Sequence, residues 1–167
     1  GACTKVDNVE IKLNNKTGLF EPSSETIPQN FDYCPSVKVD FTELQRYIFN
    51  EIPKDVYGVV HKVFLAQSKN YNRNTKASSV GLIKEIGKYY FKNYKQSEGI
   101  IALDEEVGLN YSAKLIREFK EFDQLPGSIY HQVNFQNLYK ILNEVNNPVA
   151  IVAIPCVLEG LYNYIYN

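Results

Sequence analysis

A thiol, an imidazole and a carboxamide follow one another along this chain: Cys34, His131, then Asn146 or Asn147. A cysteine nucleophile needs a base to take its proton and a third group to orient that base. Cys34 and His131 are therefore the candidate catalytic pair of a cysteine hydrolase. Cys34 precedes Pro35 in a stretch that reads as loop, away from any helix N-terminus that would favour its thiolate. A disulfide from Cys34 to Cys156, which an oxidising compartment permits, is the competing use of the same sulfur. Zinc chemistry lacks its ligands, because no Cys-x-x-Cys occurs and His61 and His131 stand far apart. No glycine-rich phosphate loop, His-Glu-x-x-His or calcium-loop pattern is present either. No cofactor or metal is expected.

Residues 103–119 offer a second chemistry. Gly108 stands at a turn and Asn110 at a cap before Tyr111, Ser112, Lys114 and Arg117, which resembles a helix-turn-helix. Asp104, Glu105 and Glu106 on the preceding element would repel phosphate. With 18 basic and 19 acidic residues the net charge is −1, which supplies no general attraction to nucleic acid or anionic lipid. Nucleic acid is therefore not the expected partner.

The third resource is aromatic. The chain holds 13 Tyr and 9 Phe but no Trp or Met, so much of its aromatic bulk carries a polar tip. Tyr89, Tyr90, Tyr94, Tyr111, Tyr162 and Tyr164 are the candidate binding residues for a protein or peptide.

These groups must be held by helices, strands and turns. Residues 9–13 alternate Val9, Ile11 and Leu13 with polar side chains, a strand signal. Residues 14–36 read as loop or tether. In residues 40–52, Phe41, Leu44, Tyr47, Ile48 and Ile52 keep helical spacing. In residues 55–64, Val56, Val59, Val60, Val63 and Phe64 form an apolar stripe. The β-branched content keeps strand as a rival for residues 59–65. Residues 68–76 are polar and read as loop. Helices are expected over 77–94, 100–107, 111–122 and 134–145. Residues 149–154 are continuously apolar and read as a short buried element, followed by helix from Cys156.

Two stretches carry family resemblances. Residues 40–49, beginning Asp40-Phe41-Thr42-Glu43-Leu44, resemble the catalytic helix of NlpC-type cell-wall endopeptidases, with Phe41 where the reactive Cys stands. Residues 147–152 with Gly160-Leu161-Tyr162 resemble the distal part of bacteriocin-processing cysteine peptidases, with Leu161 where the His stands. The first residues, Gly1-Ala2-Cys3 followed by a polar run, resemble the cleavage site of bacterial lipoproteins, with Ala2 before the cut and Cys3 as the acylated residue. That resemblance implies a lipid on Cys3, export, and a domain held at the cell envelope with lipid as its only link to the membrane.

The expected architecture is mainly α: about six helices, a short N-terminal strand and a candidate buried strand at 149–154, with a papain-like α+β fold as the alternative. Residues 1–36 form strand and tether, and residues 37–167 one helix-rich domain. The expected function is non-catalytic: a lipoprotein-like, envelope-tethered binding or assembly module for a protein or peptide. The alternatives are the Cys34–His131 hydrolase, intact or degenerate, and the 103–119 nucleic-acid binder.

Overall fold

The computed structural model describes residues 9–23, 37, 40–77, 79–106 and 110–166. Among them the chain forms β1 (Ile11–Asn14), β2 (Leu19–Pro22), α1 (Phe41–Phe49), α2 (Tyr71–Lys76), α3 (Leu82–Asn93), β3 (Gly99–Glu105), β4 (Tyr111–Ile116), α4 (Phe119–Gln124), β5 (Val133–Asn134), α5 (Gln136–Glu144), β6 (Val149–Ile151) and α6 (Pro155–Tyr166). The fold is α+β, with 39% helix and 19% strand, which corrects the mainly helical expectation.

A curled four-stranded mixed sheet, ordered β5-β4-β3-β6, is the centre of the molecule. β3 and β4 are antiparallel, while β6 joins β3 and β5 joins β4 in parallel. Its side chains alternate between two cores, as the pleat requires. Ile101, Ala113, Leu115, Val149 and Ile151 face a core shared with Leu138 and Tyr139 of α5 and Leu161 of α6. Ile100, Ala102, Ile116, Ala150 and Val152 face the other, shared with Ile83 of α3 and Phe119 and Phe122 of α4. Burial on both faces explains why β3 and β6 read as unbroken apolar runs.

That arrangement accounts for the differences from the sequence reading. The helices expected over 100–107 and 111–122 are instead strands β3 and β4, followed by the short α4. Cross-strand pairing from Ile100–Ile116 to Glu105–Tyr111 outweighs a spacing compatible with either element. The helix-turn-helix geometry expected at 103–119 is corrected, because among the described residues its two expected helices are strands β3 and β4. Residues 55–64, expected as helix, carry no regular element. The 14–36 loop contains β2, paired with β1 in a hairpin. The 68–76 loop contains α2, whose first turn is capped by the Asn70 side chain accepting from the Arg73 backbone N–H. The helices expected near 40–52, 77–94, 134–145 and beyond Cys156 are present, and of the apolar run 149–154 Val149–Ile151 is a strand, half-buried rather than buried.

Gly87 sets the spacing of α3 on α4. A Cβ there would clash with the Cδ1–Cε1 edge of the Phe122 ring, so only glycine lets the helices approach this closely.

Candidate binding surface

The longest run of uncovered apolar side chains lies between α1 and α2. α1 buries none of its residues, and its expected inward face leaves Phe41, Tyr47 and Ile48 exposed. Beyond it Val56, Val63, Phe64 and Leu65 are 95%, 85%, 77% and 104% exposed. Among the described residues, residues 60–66 make no hydrogen bond through backbone or side chain. Exposed as they are, these backbone N–H and C=O groups face water and are open to exchange for another chain's.

Both ends of this stretch are fastened. At one end the Gln45 side-chain oxygen accepts from the Val59 backbone N–H at 2.6 Å. Asp55 closes the turn before it, its carboxylate accepting from the Tyr57 N–H at 2.9 Å. At the other end Ser68 is buried, and its N–H donates to the Val80 carbonyl at 3.0 Å. The Ser68 hydroxyl donates to Glu85 at 2.7 Å. Glu85 in turn accepts from Arg73 at 3.0 Å, and Arg73 also grips Asp123 at 2.9 Å. The Ser68 and Arg73 hydrogen bonds hold the Glu85 carboxyl below its ordinary range. Residues 60–66 thus form a strap, held at Gln45 and Ser68, with its apolar middle facing water.

α1 leans on α6. Tyr47 meets Tyr166 with ring centroids 4.5 Å apart, and Tyr162 stacks on Tyr166 at 5.9 Å. Glu159, on α6, is 1% exposed, and neither carboxylate oxygen has a hydrogen-bond partner among the described residues. Desolvation, and then the charge of Asp40 at the start of α1, push its pKa up.

The residues singled out in the sequence do not converge on one face. Tyr89, Tyr90 and Tyr94 cluster at the end of α3, with Tyr90 stacked on Tyr94 at 5.0 Å. Tyr111, on β4, stacks on His131 at 6.2 Å. Tyr164 packs edge-on against Tyr139 in the core. Asn146 and Asn147 give their backbone N–H groups to Glu98, at 2.7 and 2.9 Å, closing the turn before β6. Cys156 carries a free, exposed thiol in the first turn of α6. Its expected disulfide partner Cys34 and the expected lipid-bearing Cys3 lie outside the described residues. Phe41, at the reactive position of the first peptidase-like stretch, is exposed, and Leu161, at that of the second, is buried in the core. No helix among the described residues is long and apolar enough to cross a membrane.

Sequence reasoning named the stripe at Val56, Val59, Val60, Val63 and Phe64 but assigned it to a helix facing the core. No protein-family model and no curated protein matches the chain.

Proposed function

We propose that this protein is a non-catalytic binding module that docks a protein partner by strand addition, with residues 60–66 as the added strand. The observation that carries the reading is the strap itself: a β-branched, aromatic sequence, exposed at Val63, Phe64 and Leu65, with no backbone hydrogen bond among the described residues. An open sheet edge on the partner would satisfy those backbone groups, and pockets beside it would take alternate side chains. The anchors at Gln45 and Ser68 reduce the ordering cost of docking, because the ends of the strap are already fixed. The exposed face of α1 extends the apolar contact. Attachment to the cell envelope through a lipid on Cys3 belongs to the same proposal, supported by the resemblance of Ala2-Cys3 to a lipoprotein cleavage site.

The test is a photo-crosslinking amino acid at position 65 in cells that make the protein, with the same probe at exposed Lys120 as the comparison. One discrete adduct from position 65 is expected. It disappears with Val63→Pro, which removes a backbone donor, and survives Val63→Thr, which keeps strand propensity. An adduct of twice the chain's own mass would identify the partner as a second copy. Equal labelling from positions 65 and 120, or an adduct indifferent to Val63→Pro, would overturn the reading.

A further inference from the structure

Two hollows meet at Lys84. The first, about 550 Å³, lies between the sheet and the segment that follows α4, and Ile83, Phe122, Phe135, Val152 and Ile154 are among its mostly apolar walls. The second, about 590 Å³, is lined mostly by polar residues, Arg73, Lys76 and Asp123 among them. Lys84, Leu125, Gly127 and Ser128 belong to both. Each volume is within the ~300–1,000 Å³ usual for small-molecule sites.

The charges at this junction do not cancel. Arg73 is occupied by Asp123 and Glu85. Lys76 is exposed and has no acidic partner among the described residues. Lys84 is buried, and its Nζ donates to the carbonyl oxygens of Phe122 at 2.5 Å and Leu125 at 2.8 Å. An ammonium carries three protons, so one remains for a ligand. Its charge also lies 5.0 Å from the centroid of the Phe122 ring. A cation set between an apolar hollow and a polar one suits a molecule with one apolar and one anionic end.

We propose that this junction binds a small amphiphilic anion, a carboxylate whose apolar tail fills the 550 Å³ hollow and whose head meets Lys84 and Lys76. The site is separate from the strap and does not depend on what docks there.

Calorimetric titration of the purified protein with decanoate, decanol and decyltrimethylammonium tests this. Decanoate should bind about tenfold more tightly than decanol, the difference expected of one charge-assisted hydrogen bond, and the cation should not bind. Lys84→Met should bring decanoate to the level of decanol. Lys76→Ala, at an exposed position that leaves folding intact, should weaken decanoate several-fold and leave decanol unchanged. Ala153→Trp, which fills the apolar hollow without touching either lysine, should abolish binding of both. Equal affinity for decanoate and decanol, or decanoate binding that survives Ala153→Trp, would overturn the proposal.

Discussion

Lys84 and Phe122 meet twice: the Lys84 Nζ donates to the Phe122 carbonyl oxygen at 2.5 Å and lies 5.0 Å from the centroid of the Phe122 ring. The ammonium shares the Phe122 carbonyl with the Leu125 backbone N–H and also donates to the Leu125 carbonyl, closing the end of α4. Burial pulls the Lys84 pKa down from its ordinary 10.5, the charge of Asp123 opposing that shift. This contact requires α3 to lie close to α4, which Gly87 permits. Gly87→Ala should therefore cost about 1–3 kcal/mol, the usual range for overpacking, measured by urea denaturation. An unchanged midpoint would show that the helices are not held this closely.

Glu159 gives stability a pH dependence. The unfolded carboxyl titrates near the ordinary 4.5, and the folded one higher, because desolvation and then Asp40 disfavour its charge. Between those values the folded state keeps a proton that the unfolded state has lost. The contribution of Glu159 is thus full below pH 4.5 and falls as pH rises through the folded value. Glu159→Gln should raise stability at pH 7 by about 1–3 kcal/mol and flatten that part of the curve. Thermal melts of both proteins across pH 4 to 8 would check it, and parallel curves would contradict it.

The strap and the core should respond oppositely to substitution. Val63→Ser and Leu65→Ser change exposed side chains and should shift stability by no more than about 0.5 kcal/mol. Leu138→Ala, in the core beneath the sheet, should cost about 2–5 kcal/mol. Denaturant titrations of the three variants decide this. A strap variant as damaging as Leu138→Ala would mean that those side chains are covered in the folded protein.

What was legible in the sequence follows from which interactions are local. Residues 82–93 and 136–144 carry amphipathic periods over several turns, and both are helices. Ile100 to Leu103 and Tyr111 to Ile116 fit strand or helix over a short window, and the choice is made by β3 pairing with β4. The Tyr residues were visible as a class, but their division among α3, β4 and α6 is tertiary. Lys84 gave no signal, since a lysine within a helix pattern reads as solvated until α4 closes over it. Residues 59–65 showed both periods, and neither reveals that the segment carries no regular element and lies exposed.

Cys156 offers a rapid check on the start of α6. Its thiol is free and exposed, so it should alkylate in the native protein without reductant, as read by intact mass. Protection until reductant is added would place it in a disulfide instead.

The account turns on residues 60–66 being an unpaired strand that acquires a partner. Hydrogen exchange followed by mass spectrometry, on the purified chain and on the complex recovered through the position-65 crosslink, addresses this directly. Amides of residues 60–66 should exchange at nearly unfolded rates in the isolated chain, while those of Gly99–Glu105 stay protected. In the complex the strap amides should become slow. Slow exchange in the isolated chain, or equally fast exchange in both samples, would contradict docking by strand addition.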